Sequence, residues 1–216
     1  MLAPAVFMAL SVTAWYRGSA ALPLSGEEVV TQIRSLASLY KNNSTLVLNT
    51  YLRYQGPPFS DGNFSFPNWF EDGLPPAALG YRAWRCLCPG DRLLQDRQAF
   101  AAISEFFQLV RDDQMSLNPL ASDLHRLLET AQRSSEALLS NLSNAMSILG
   151  YQLPSSQPEP LSWTSTNDYT FKRKVRGYVL CREYGDWLMR VQKDMDILRT
   201  TRSRREPAGQ DRKDCC

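Results

Sequence analysis

Two stretches with a helical period, DRLLQDRQAFAAISEFFQLVR (residues 91–111) and PLASDLHRLLETAQRSSEALLSNLSNAMSILG (residues 119–150), are separated only by DDQMSLN (residues 112–118). In the first, Leu93, Phe100, Ile103, Phe107 and Val110 fall on one stripe. In the second, Leu124, Leu128, Ala131, Leu138, Leu142, Ala145 and Leu149 do the same, and Gly150 stops the pattern. Helices of about 20 to 30 residues are about 30 to 45 Å long, whereas this short connection reaches roughly 24 Å when fully extended. The two helices must therefore be antiparallel.

Outward from this pair, the pattern predicts one helix on each side. Ser25 and Glu28 have the spacing of a capping box, and Val29, Ile33, Leu36, Tyr40, Val47, Tyr51 and Tyr54 follow on one stripe until Gly56-Pro57-Pro58. The last helix starts near Asp168 and carries Phe171, Val175, Tyr178, Cys181, Tyr184, Leu188, Val191, Met195 and Leu198. No segment sustains strand alternation, so the class is all-α. Residues 56–90 and 151–167 are long enough to run the length of a bundle and restart in the same direction. Two long crossovers around one short turn give a long-chain four-helix bundle, up-up-down-down, as in the cytokine bundles. A bundle with one long segment merely disordered fits almost as well.

The chain has 216 residues, 44% of them hydrophobic and 21% charged, with a formal charge of +2 and one histidine. That balance offers no field to attract nucleic acid or an anionic membrane. Residues 1–21, apolar and then small before a polar stretch, read as a signal peptide and imply a secreted, extracellular protein. Residues 22–198 form the expected helical domain, and residues 199–216 a flexible basic tail, for which no specific role is a commoner reading than a heparin-like patch. No later run approaches the roughly 20 apolar residues of a membrane span, so no membrane insertion is expected. Asn42, Asn43, Asn63 and Asn141 stand in glycosylation sequons. The cysteines, Cys86, Cys88, Cys181, Cys215 and Cys216, are odd in number and unevenly spaced; partly buried or free thiols are favoured over a disulfide framework. Cys86 and Cys88 lack the second pair that a zinc site needs.

No metalloprotease helix, nucleophile elbow, dinucleotide glycine pattern or phosphate loop is present. Neither catalysis nor a cofactor is expected. His125, beside Asp123 and Arg126, suits a solvated helix surface; Asp112 and Asp113 read as adjacent loop acids after the second helix. Function therefore belongs to surfaces, and three features stand out. Lys172, Arg173, Lys174 and Arg176 crowd a helix start, where the dipole penalises cations, so that something other than helix stability placed them there. On that argument, neutralising Lys174 relieves a penalty. Phe171 beside them fits core and contact roles equally. Trp187 accompanies Arg190 and Asp194, which are spaced to share a helix face; an ordinary ion pair is the bland alternative. Trp84, flanked by Arg82 and Arg85, has the composition of an interface hot spot, or of a loop tryptophan covering the core.

At YLRYQGPPFSD (residues 51–61), DDQ (112–114), LNP (117–119), FKRKVRGY (171–178) and REYG (182–185) the chain resembles the interleukin-6 family of cytokines, in the branch of the cardiotrophins and ciliary neurotrophic factor. The resemblance runs from about Ser25 to Leu198. It implies a neurotrophic ligand, a monomer before receptor binding, that gathers cytokine receptors and signals through Janus kinases and STAT proteins. Phe171 and Lys174 match the family's Phe-x-x-Lys and would contact the leukaemia inhibitory factor receptor. Trp84, Arg190 and Asp194 would bind the ciliary neurotrophic factor receptor α chain. The first and third helices would meet the shared signal transducer through residues that no motif names. The Cys86-Leu87-Cys88 run and the tail depart from the family pattern. A secreted amphipathic helical lipid carrier is the alternative, disfavoured by narrow stripes and proline-rich loops.

Overall fold

The computed structural model describes residues 25–62, 64–66, 69–154 and 169–203. Among them are five helices and no strand: α1 (Gly26–Gln55), α2 (Tyr81–Arg85), α3 (Pro89–Leu117), α4 (Ser122–Ile148) and α5 (Thr170–Ser203). α1 opens on the expected capping box: the Glu28 amide donates to Ser25 Oγ at 3.2 Å, and the Ser25 amide to Glu28 Oε2 at 2.7 Å. It ends at Gly56, whose φ of +68° suits glycine, followed by the two prolines. α3 continues through Leu117, so Asp112 and Asp113 are helical rather than loop acids. The α3–α4 connection thus shrinks to residues 118–121, too short for anything but an antiparallel pair. His125 is half-buried, with Nε2 2.9 Å from the Asn118 carbonyl, so it braces this turn instead of only facing solvent.

Side-chain pairings give the helix directions. Tyr51 near the end of α1 donates to the Lys174 carbonyl near the start of α5 at 3.0 Å, and Arg34 near the start of α1 meets Asp196 near the end of α5 at 2.6 Å. Those helices are antiparallel. Gln55 and Gln114 bond at 3.0 Å, bringing the ends of α1 and α3 together, while Arg97 reaches Ser143 between the start of α3 and the end of α4. Arg53 and Tyr54 meet Asp123 at the start of α4. Hence α1 and α3 run up, α4 and α5 down. α1 packs on α5 and α4, α3 on α4 and α5, so each up helix touches both down helices.

The stripes meet in one core. Ile33, Tyr51, Phe100, Ile103, Phe107, Leu128, Leu142, Leu188 and Met195 are all fully or almost fully buried; at about 1.5–3 kcal/mol for each large apolar side chain, this burial is the main force holding the bundle together. α5 lies unusually close to α1, because its glycines face that helix. A methyl group on Gly177 would overlap the Tyr51 hydroxyl, and one on Gly185 would stand 3.2 Å from Ser44 Oγ.

From the top of α1, the chain descends along α5. Phe59 packs on Phe171, Phe64 on Tyr178, and the Phe66 and Trp69 carbonyls accept from Arg182. Further down, the Ala77 amide donates to Glu183 and the Pro75 carbonyl accepts from Trp187. This path ends in α2, a helix that apolar periodicity could not reveal because it buries no residue. Residues 155–168, most of the connection before α5, lie outside the described residues, as do the expected signal peptide, Asn63, Cys215 and Cys216. α5 continues beyond Leu198 to Ser203 before the described residues end.

Cys86 caps the end of α2 and Cys88 the start of α3. Both are disulfide-bonded, which corrects the expectation of free thiols: close spacing disfavours a bridge between the two but says nothing of what the fold brings to that corner. Cys181 is a buried free thiol, and burial pushes its pKa far up, making it inert at neutral pH. Among the described residues, no helix is long and apolar enough to cross a membrane.

Candidate functional site

The cations at the start of α5 are held by their neighbours. Asp113, buried near the end of α3, meets Arg173 Nε at 2.7 Å and Arg176 Nη2 at 2.7 Å; Arg173 also bonds Ser116. Lys174 Nζ donates to the Gln55 carbonyl at 2.6 Å. The α5 dipole alone, which was expected to penalise these cations, does not decide their energy: the start of α5 stands against the carboxyl-terminal ends of α1 and α3, where unpaired carbonyls and the dipole favour cations. Arg176 is completely buried and presents no surface to another protein. Phe171 combines the two roles the sequence left open. Its ring leans on the buried Phe59 with centroids 5.6 Å apart, yet the residue remains 39% exposed.

The second group lies toward the other end of α5. Trp84 Nε1 donates to Asp194 Oδ1 at 2.7 Å, and Arg190 Nε lies 3.5 Å from Asp194 Oδ2, an ion-pair distance without hydrogen-bond alignment. Residues about a hundred positions apart are thus brought together. Asp194 is 0% exposed and Arg190 8%, so the exposed ion pair expected from their spacing is a buried one. Arg190 also donates to Gln95 Oε1 at 2.5 Å and to the Ala77 carbonyl at 3.4 Å, with its guanidinium 4.4 Å from the centre of the Trp187 ring. Trp187 is buried, its indole N–H held by Pro75, and belongs to the core.

Beside this cluster opens a cleft of about 510 Å³, walled by Ala77, Ala78, Leu79, Tyr81 and Trp84 on one side and by Asp186, Met189, Arg190 and Lys193 on the other. Leu79, Tyr81 and Met189 are exposed around it, while Trp84 is half-buried. An apolar cleft rimmed by charge, with an aromatic at its edge, is suited to taking a side chain from another protein. Burial and the nearby charge of Glu183 push the Asp186 carboxyl above its usual range.

Sequence reasoning passed over Arg92 and Asp96. Arg92 meets Asp194 Oδ1 at 2.5 Å and donates to the Trp84 and Arg85 carbonyls at 2.6 and 3.1 Å. Asp96 is fully buried, and neither of its oxygens has a hydrogen-bond partner. Desolvation first, and the Asp194 charge second, push its pKa well above the usual carboxylate range. A signal was available: Asp96 lies between Leu93 and Phe100 at the helical spacing of the stripe, where an acid has to be buried. Of the sequons, Asn42 and Asn43 are exposed on α1, whereas the Asn141 amide bonds the Ala137 carbonyl at 2.8 Å.

A four-helix bundle whose distinctive features are surface aromatics and clefts, with up-up-down-down directions, belongs to the class of helical cytokines. Residues 20–204 match the family described as plethodontid receptivity factor. The chain is 37% identical to cardiotrophin-2 of Mus musculus over 181 residues, covering 84% of this chain and 88% of that one. It is 31% identical to cardiotrophin-1 of Homo sapiens over 175 residues (80% and 86%), and 21% identical to ciliary neurotrophic factor of Sus scrofa over 164 residues (76% and 78%). The chain belongs to the interleukin-6 family of cytokines, in the cardiotrophin and ciliary neurotrophic factor branch. It is a cytokine rather than an enzyme, and its partners are cytokine receptors.

Proposed function

We propose that this cytokine is secreted after loss of residues 1–21 and assembles a complex of the ciliary neurotrophic factor receptor α chain, the shared interleukin-6-family signal transducer and the leukaemia inhibitory factor receptor, activating Janus kinases and STAT proteins with a neurotrophic outcome. The observation that carries the reading is the convergence of Trp84, Arg190 and Asp194 at one cleft. Trp84 and the cleft rim touch the α receptor, while Arg190 and the buried Asp194 support them from beneath. Phe171, exposed at the opposite end of α5, fills a pocket of the leukaemia inhibitory factor receptor, and the ammonium of Lys174 meets a carboxylate beside it. Separate ends of the molecule thus serve separate receptors.

The test uses soluble receptor ectodomains and responsive cells. Trp84→Ala should weaken α-receptor binding by roughly 1 kcal/mol or more, as for a hot spot, with helix content intact. Phe171→Ala with Lys174→Ala should abolish engagement of the leukaemia inhibitory factor receptor but spare the α receptor. Full signalling by that double variant would remove the Phe171 surface from the mechanism, and unchanged binding by Trp84→Ala to the α receptor would remove the other.

A further inference from the structure

Arg92 has a position that the bundle core does not require. It stands in the first turn of α3, is 1% exposed, and divides its guanidinium between two elements distant in sequence. Nη1 holds Asp194 of α5, while Nη2 spans the Trp84 and Arg85 carbonyls at the end of α2. Its plane also lies 5.2 Å from the centre of the Trp84 ring. α2 buries no side chain, has no side-chain cap at its start, and is too short to persist alone. Beyond the disulfide at Cys86, which ties down the end of α2, what orients Trp84 is polar: its indole N–H on Asp194, and its carbonyl on the arginine that also grips Asp194.

We infer that Arg92 is the positioning residue of the Trp84 surface, clamping α2 to α5 so that the indole edge and the cleft are presented in one arrangement to the receptor. The inference rests on the reading of that surface as the α-receptor contact. Arginine suits the role because its planar fork can serve a carboxylate and two carbonyls at once; a lysine ammonium keeps the charge but cannot span all three. Loss of the clamp leaves the bundle folded and α2 held only at its Cys86 end, free to pivot there. The cleft then forms only part of the time, and affinity falls by the fraction of molecules in which it is formed.

The test combines a binding cycle with local hydrogen exchange. Arg92→Met and Arg92→Lys are each made alone and with Trp84→Ala in the full chain, and binding to the soluble ciliary neurotrophic factor receptor α ectodomain is measured. Each single Arg92 variant should bind roughly tenfold more weakly, and add almost nothing once Trp84 is gone, because both changes remove one unit. Amides of residues 81–87 should exchange roughly tenfold faster while those of the α4 core do not change. Simple loss of stability would raise exchange throughout and leave the two substitutions additive, overturning the inference. If Arg92→Met fails to fold, Arg92→Lys decides the matter. Weakened binding by Trp84→Ala, with wild-type binding by Arg92→Lys, also overturns it. If no variant alters binding but exchange still rises at residues 81–87, the clamp stands and the receptor reading of the surface falls.

Discussion

Gly177→Ala puts opposing effects on a single helix position. Alanine is the better helix former by about 1 kcal/mol, and α5 would gain that if the position faced solvent. Here the added methyl overlaps the Tyr51 hydroxyl and Cζ and stands 2.6 Å from Cε2. The ring cannot swing away at little cost: Tyr51 is 0% exposed, its hydroxyl donates to the Lys174 carbonyl at 3.0 Å, and Gln114 donates to it at 3.3 Å. Overpacking costs about 1–3 kcal/mol, and forcing the hydroxyl off its partners about 1–3 kcal/mol more. Set against the gain in helix propensity, the net expectation is a destabilisation of about 1–5 kcal/mol, read as the shift in urea midpoint at constant m-value, or as a lowering of Tm by about 2–20 °C in a chain of this size. Tyr51→Leu in the same chain should return part of the loss by making room for the methyl. A Gly177→Ala protein more stable than wild type would mean that α1 and α5 do not approach here as described.

Two further perturbations examine the buried charges. Asp113→Ala leaves Arg176 without its 2.7 Å partner at 0% exposure and should cost about 3–5 kcal/mol in urea unfolding; a loss below about 1 kcal/mol would show that Glu71, 3.9 Å from Arg176, takes over. Asp96→Asn tests the raised Asp96 pKa through the pH dependence of stability. Because burial and Asp194 raise the Asp96 pKa, the folded chain binds this proton more tightly than the unfolded chain; its stabilisation is complete below the unfolded pKa of about 4 and is lost as pH rises toward the folded value. The asparagine variant does not titrate, so its stability relative to wild type should increase between pH 4 and 8. A difference that stays flat across that range would show Asp96 to be an ordinary carboxylate.

The apolar stripes were legible because each residue's fate depended on neighbours three or four positions away. Leu93, Phe100, Ile103, Phe107 and Val110 point one way on α3 wherever the helix is placed, and all are buried. The connection lengths constrained direction for an equally local reason, since chain reach does not depend on packing. Short α2 was not legible, because its order comes from Arg92, Asp194 and the disulfide at Cys86, and not from an apolar pattern of its own.

The charged residues show why reading one helix in isolation gave the wrong physical account of Lys174. Considered on α5 alone, Lys174, Arg173 and Arg176 oppose the dipole, and only an outside partner explains them. In an up-up-down-down bundle, however, the start of the last helix is surrounded by the ends of the two up helices, here α1 and α3. Their terminal carbonyls and the acid Asp113 make that location favourable to cations, and Lys174 holds the Gln55 carbonyl at 2.6 Å. The topology that accounts for the cluster was the one expected from a short turn between two long connections, so the charge pattern and the connection lengths point the same way. For receptor binding this moves weight from the ammonium to the ring. Lys174 has one of its three N–H groups committed inside the molecule, and a receptor carboxylate must compete with or complement that bond. Phe171 has 39% of its surface open and a buried aromatic at its back to hold it in place, which gives it the geometry of an anchor.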